Sequence, residues 1–295
     1  MNRKMFGIVL MLVVATMCHK GSFLDENFVN ELRKKAKYEV HDPSTNPFNG
    51  YTEEQIKKML GLLGLRDAPK SSITLPTEYD FRKEHPNCVV PPENQDKCEA
   101  YYTITTSHVL SMRQCLKTNN LIRLSSQDGI SCDTKSSQCN GSFINRHFNY
   151  LKTYGIVTDE CFPFQSGNGQ VPECPTQCVD SNIPFKKYKV ENASQIKGVQ
   201  KIKEEIYNNG PVITSMSVYA DLKDYSGGIY EHVHGSLLGG TLVTIVGWGV
   251  SNGNNYWIVQ NNWGDSWGEK GYFKIKEGAA GIALSAYVLD LEDEE

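Results

Sequence analysis

After its first twenty residues the chain has no apolar run approaching the roughly 20 consecutive residues that cross a bilayer, so no membrane span is expected. A cationic stripe is missing too. Thirty Lys and Arg stand against 34 Asp and Glu, the formal charge is −4, and the chain ends on Glu292-Asp-Glu-Glu295. Without a basic footprint, nucleic acid is not an expected partner. No internal repeat or low-complexity tract is present, which argues against a solenoid. Cysteine is absent from residues 19–74 and again from 179–295, so eight of the nine cysteines lie between Cys88 and Cys178.

What is present begins with a cationic start, Arg3 and Lys4, followed by an uncharged apolar stretch from Met5 to Met17. That pattern reads as a secretory signal peptide over residues 1–18, with cleavage expected between Ala15 and Cys18. A mature chain in the secretory pathway, either secreted or held in lysosome-like vesicles, would keep Cys88, Cys98, Cys115, Cys132, Cys139, Cys161, Cys174 and Cys178. An even number in such a chain reads as a disulfide framework, although parity alone leaves 105 pairings open. Cys174 and Cys178 have no partner pair at zinc-site spacing, so neither a metal nor another cofactor is expected. Asn140-Gly-Ser142 and Asn192-Ala-Ser194 are candidate glycosylation sequons.

Residues 19–74 form a charged segment. Phe28, Val29, Leu32 and Ala36 recur at helical spacing, and Thr52 with Gln55 makes a capping box ahead of Ile56, Met59 and Leu60. Asp67 to Ser72 has the composition of a linker, and a main domain is expected over 75–295. Its first part, about 85–180, holds the cysteines and several helical stretches. The second part, about 181–290, alternates β-branched and aromatic residues. Val212–Val218, Thr241–Val246, Tyr256–Val259 and Gly271–Lys276 read as strands.

Separated segments point to one family. Leu75-Pro-Thr-Glu-Tyr-Asp80, Gly239-Gly240 before a β run ending in Gly247-Trp-Gly249, and Val259-Gln-Asn-Asn-Trp-Gly-Asp-Ser-Trp-Gly268 resemble segments of papain-like proteases. Asn209-Gly-Pro-Val212, Tyr219 and Gly228-Ile-Tyr-Glu-His232 are similar to the cathepsin B branch, and Phe28–Asn49 is similar to its propeptide. The resemblance implies an α+β, papain-like two-half fold. It would have a helical left half, a β-barrel right half and a cleft between them, with residues 19–74 as the propeptide.

In active relatives the nucleophile loop reads Gln-Gly-Ser-Cys-Gly-Ser-Cys-Trp, whereas this chain has Gln95-Asp-Lys-Cys-Glu-Ala-Tyr-Tyr102. The resemblance makes Gln95 the oxyanion-hole glutamine, puts Tyr101 where the nucleophile belongs and Thr241 where the histidine belongs. Asn261 stands as the orienting asparagine. The family's chemistry needs a thiolate activated by an adjacent imidazole. A phenol with a pKa of about 10 is neutral at pH 7, and threonine cannot exchange a proton usefully there. Asp96 and Glu99 stand where relatives carry glycine. They would either set negative charge near a developing oxyanion or favour the N-terminus of the following helix. That helix is itself an expectation of the resemblance, because Tyr102-Thr-Ile-Thr-Thr106 is a poor helix former.

The resemblance also implies the pairings Cys88–Cys115, Cys98–Cys139, Cys132–Cys174 and Cys161–Cys178. Between Cys161 and Cys174 the chain is short and has no histidine, so the occluding loop of cathepsin B, and its dipeptide trimming, are not expected. Ala283-Leu-Ser-Ala286 at the implied S2 position would favour apolar groups. Ser107-His108, His232 and His234 read as structural or surface residues. The expected protein is thus a monomeric, catalytically inactive homologue that binds peptides, inhibitors or partner proteases in its cleft. The alternative is an active papain-type cysteine endopeptidase.

Overall fold

In the computed structural model, which describes residues 26–35, 42, 44 and 73–292, the chain divides into two units, Met1–Lys70 and Ser71–Glu295. In the first, the helical spacing around Phe28 becomes helix α1 (Glu26–Lys35), with Val29 buried and Arg33 paired to Asp42 at 3.6 Å. The signal segment, the Thr52 capping box and the 67–72 linker lie outside the described residues.

The second unit opens with strand β1 (Tyr79–Asp80) and the single turn α2 (Phe81–Glu84), capped by Asp80 through Arg82 N at 3.1 Å. Helix α3 (Tyr101–Thr118) follows, and it forms against its local propensity. Burial explains why: from Tyr102 to Arg113 every residue is buried. The hydroxyls that would otherwise compete with the helix bond back to its own carbonyls. Thr105 Oγ1 donates to Tyr101 O at 2.6 Å, Thr106 Oγ1 to Tyr102 O at 3.0 Å, and Ser111 Oγ to Ser107 O at 2.6 Å. Tertiary packing overrides the weak preference.

Helix α4 (Ser126–Cys132) starts at Ser125, whose Oγ accepts from Asp128 N at 3.0 Å. Helix α5 (Ile144–Thr153) buries Ile144, His147, Phe148 and Leu151, the stripe of an amphipathic helix. Four disulfides hold this region: Cys88–Cys115, Cys98–Cys139, Cys132–Cys174 and Cys161–Cys178. They are the four pairs the resemblance implies.

The remaining elements are β2 (Val190–Ile196), α6 (Val199–Asn209), β3 (Val212–Tyr219), β4 (Ile229–Tyr230), β5 (Leu237–Ser251), β6 (Asn254–Gln260), β7 (Tyr272–Lys276) and β8 (Ala286–Leu291). They build one sheet in the order β2-β8-β3-β5-β6-β7-β4, with β1 added to β5. All pairings are antiparallel except β4 with β7. The four sequence-predicted strands are present, but β5 runs 15 residues rather than stopping at Val246. Gly247 lets β1 lie against it, because a Cβ there would collide with Tyr79 O. Gly247-Trp-Gly249 thus lies within the strand, as the resemblance implies.

The expected β-barrel is corrected. The sheet is not closed: β2 pairs only with β8, β4 only with β7, and no pairing among the described residues joins these ends. The outer strand shows why. Glu191, Asn192, Ser194 and Gln195 of β2 are exposed and polar, so that strand ends the sheet in solvent.

Helix α3 packs on the sheet through Val109 and Leu110, which share a buried cluster with Ile213, Leu242 and Leu289. Arg113, 2% exposed, reaches across this junction. Its guanidinium bonds Glu205 of α6 at 2.7 Å and Asp290 of β8 at 3.1 Å. The C-terminal half of α3 is thereby tied to α6 and β8.

Candidate active site

Two distant pieces of chain meet beside the start of α3. Gln95 N donates to Asn262 O at 2.9 Å, Gly264 N to Glu93 O at 3.2 Å, and Asn94 bridges Trp263. The other side of the 95–101 loop is fixed to the helical region. Cys98 is bonded to Cys139, Glu99 N donates to Cys139 O at 2.9 Å, and Lys97 N to Gly167 O at 3.0 Å. Asn262 Nδ2 then donates to Leu242 O at 2.8 Å, which ties the 261–262 segment to the residue after Thr241. The segments carrying Gln95, Thr241 and Asn261 are joined in this way, and Tyr101, six residues after Gln95, is the first residue of α3.

Tyr101 is half-buried and its ring packs at the margin of the cluster holding Tyr102 and Leu242. Its phenol faces the Gly141–Ser142 corner. A Cβ placed on Gly141, whose φ is +80°, would lie 2.8 Å from Tyr101 Oη and 3.0 Å from Glu99 Oε2. Burial raises the Tyr101 pKa and the Glu99 charge raises it further, against a hydrogen bond from the Ser142 backbone. The hydroxyl is therefore a neutral donor at physiological pH. Thr241 Oγ1 donates to Leu242 O at 3.3 Å. Asn261 is 2% exposed and its Nδ2 has no hydrogen-bond partner among the described residues; the same holds for buried Gln95 Oε1. An acceptor and a donor thus remain unused in the region where the resemblance sets a cleft.

Asp96 adopts φ +47°, the left-handed region that glycine enters freely, and its N–H is held by Asn94 Oδ1 at 3.0 Å. It is exposed beside the 166–168 turn, and Glu99 is exposed one residue before the uncapped Ala100. Ala283 is buried at φ +58°, Leu284 beside it is 74% exposed, and Ser285 O accepts from Thr214 Oγ1 at 2.8 Å. Asn140 and Asn192 are both exposed.

The histidines have other employment. His108 Nδ1 lies 3.3 Å from Gln260 Oε1 and its Nε2 is 3.6 Å from Glu93 Oε2. His232 stacks on Tyr219 at 3.8 Å and is held by Asp221 at 3.0 Å, while the His234 backbone N–H donates to the same carboxylate. His147 is fully buried between Asp133 Oδ2 at 3.3 Å and Thr106 Oγ1 at 3.1 Å. None of these bonds goes to Tyr101 or Thr241. Every cysteine from Cys88 to Cys178 is in a disulfide, so no thiol is free among the described residues.

Sequence reasoning missed two polar residues that organise the site, Gln260 and Asn262. Gln260 Nε2 donates to Val90 O at 2.7 Å and bonds Tyr272 Oη at 3.1 Å. Their signal was available: two amides at the end of an apolar strand, flanking Asn261, must find partners if buried.

Comparison with known proteins agrees with this architecture. Residues 75–289 match the family described as papain family cysteine protease. Cathepsin B-like CP3 of Giardia intestinalis is 33% identical over 242 residues, spanning 77% of this chain and 81% of that protein. Cathepsin B of Dictyostelium discoideum is 27% identical over 304 residues, spanning 94% and 97%. Among solved structures, proCathepsin B S9 from Trypanosoma congolense superimposes with a TM-score of 0.72 at 29% identity, covering 92% of this chain and all of that one. The four disulfides and these relatives fit a protein of the secretory pathway, and no helix among the described residues is long and apolar enough to cross a membrane. With its cathepsin B-like relatives and fold, the chain belongs to the papain family of cysteine proteases.

Proposed function

We propose that this chain is a catalytically inactive cathepsin B-like homologue that binds peptides, inhibitors or partner proteases beside the start of α3. The observation carrying the reading is the combination at one place of Tyr101 heading α3 and a disulfide framework that uses every cysteine from Cys88 to Cys178. A papain-type reaction needs a thiolate and an imidazole in contact. Here the hydroxyls of Tyr101 and Thr241 occupy the matching positions, and burial moves the phenol away from ionisation. Gln95 and Asn261, the positions matching the oxyanion-hole and orienting residues, are kept.

Residues 1–18 are assigned as signal peptide, 19–74 as propeptide and 75–295 as the papain-like domain. The mature protein is assigned to the extracellular space or lysosome-like vesicles, with Asn140 and Asn192 as glycosylation positions. An inactive chain would not remove its own propeptide, so pure protein held at acidic pH is expected to keep residues 19–74.

A thiol-directed epoxide probe and a peptide-hydrolysis assay test the reading. The expected result is no labelling and no turnover by the native chain, with hydrolysis gained in the double variant Tyr101→Cys, Thr241→His. Labelling of the native protein, or turnover lost on changing a cysteine, would establish the active endopeptidase instead.

A further inference from the structure

The Cys132–Cys174 disulfide, the C-terminal half of α5 and residues 185–187 surround a cavity of about 550 Å³. None of its lining residues belongs to the site described above. Its size falls in the range of roughly 300–1,000 Å³ that holds small organic ligands. The walls are aromatic: Tyr150 and Tyr154 lie 5.5 Å apart, inclined at 34°, and Phe185 faces the same space. Tyr154 is 61% exposed and Phe185 38%, so apolar ring surface is left uncovered at its mouth.

The charges around it are unequally exposed. Lys187 Nζ bonds Asp128 Oδ2, and Tyr150 Oη donates to Asp128 Oδ1 at 2.7 Å, so that cation already has its anion. The Asp133 carboxylate is 2% exposed and is consumed by His147 Nδ1 at 3.3 Å and by Lys135 N at 3.1 Å. Lys135 lines the cavity with an exposed side chain that pairs with no carboxylate among the described residues. What remains open to solvent is an aromatic slot with the Lys135 cation at its edge, the Asp133 carboxylate being buried behind it.

We propose that this cavity binds a small aromatic anion. The ring would stack on Tyr154 and Phe185, as aromatic pairs do at centroid separations of roughly 4.5–7 Å. Its carboxylate or sulfonate would meet the exposed Lys135 ammonium.

The test is a fluorescence titration of the full chain with the aromatic sulfonate 1-anilinonaphthalene-8-sulfonate and its uncharged analogue N-phenyl-1-naphthylamine. Saturable binding of one sulfonate per chain is expected. Tyr154→Ala should weaken both dyes about fivefold. Lys135→Glu should weaken the sulfonate about threefold to tenfold and leave the neutral dye within about twofold. Both positions are solvent-exposed, so circular dichroism and melting temperature should match the native chain. Lack of saturation overturns the proposal. Sulfonate affinity unchanged by both variants also overturns it, by assigning the dye to exposed apolar side chains such as Val233, Leu238 or Leu284. Loss of binding in Tyr101→Ala, with both cavity variants unaffected, overturns it in favour of the site at α3.

Discussion

Replacing Arg113 with Met should cost the folded state about 3–4 kcal/mol, near the lower end of what breaking a buried ion pair costs. The guanidinium sits at 2% exposure. Nη2 bonds Glu205 Oε1 at 2.7 Å and Asp290 Oδ1 at 3.1 Å, Nε bonds Asp290 Oδ1 at 3.2 Å, and Nη1 reaches Gly210 O at 3.3 Å. Hydrogen bonds to charged groups contribute about 1.5–3 kcal/mol each. They are not additive here, because the two carboxylates are 20% and 25% exposed and regain water when the cation leaves. Met keeps the apolar stem in place, so the loss isolates the charged head. With a urea slope of about 3 kcal/mol/M, the midpoint should fall by about 1 M at an unchanged slope. Tryptophan fluorescence with disulfides intact reads this directly. Glu205→Gln in both backgrounds should show coupling above about 0.5 kcal/mol. A midpoint shift under about 0.3 M would refute the view that Arg113 clamps α3 to α6 and β8.

The packing of Tyr101 against Gly141 is open to a similar cycle. Gly141→Ala should cost about 1 kcal/mol more in the native chain, where the new Cβ meets Tyr101 Oη, than in a Tyr101→Ala background, where only the backbone cost of about 1–3 kcal/mol remains. Equal costs in the two backgrounds would put the phenol elsewhere. Asp221 supplies a pH test. Burial alone would raise its pKa, but hydrogen bonds from Tyr230, Val233 N, His232 and His234 N outweigh that and hold it well below the usual carboxylate range. A depressed folded-state pKa adds stability that is complete above the unfolded value of about 3.9 and disappears as pH falls towards the folded one. The stability advantage of the native chain over Asp221→Asn should therefore be full at pH 5 and shrink below about pH 4. A melting-temperature difference that stays constant down to pH 2.5 would contradict the assignment.

The strands of the second unit were legible because alternation of β-branched and aromatic residues is a local signal. Helix α3 was not, because Thr103, Thr105 and Thr106 look unfavourable until their burial is known, with Thr103 against Ser126 of α4 and Thr106 against His147 of α5. The need for glycine at 247 was not legible either: only the arrival of Tyr79 from 168 positions earlier shows that a side chain has no room there. The closed barrel failed on its edges, since exposed polar residues on β2 can be seen in the sequence but their place at the end of the sheet cannot. Tyr101, Thr241 and Asn261 were readable only through spaced motifs, and the ties supplied by Asn262 depend on three segments meeting. The buried His147–Asp133 pair likewise needs α5 and the Cys132 loop side by side.

A sheet that stops instead of closing leaves a strand able to accept another chain, and β2 offers seven residues of such backbone. Unpaired edges are templates for intermolecular β association. Here the ladder with β8 is interrupted between Val190 and Asn192, which twists the edge away from a flat docking surface. Asn192 heads the sequon that follows the interruption, so an attached glycan would stand over the groups an incoming strand must reach. Oligomer growth along this edge should then depend on the state of one asparagine. Asn192→Gln material is expected to aggregate sooner than glycosylated protein at equal concentration, by light scattering.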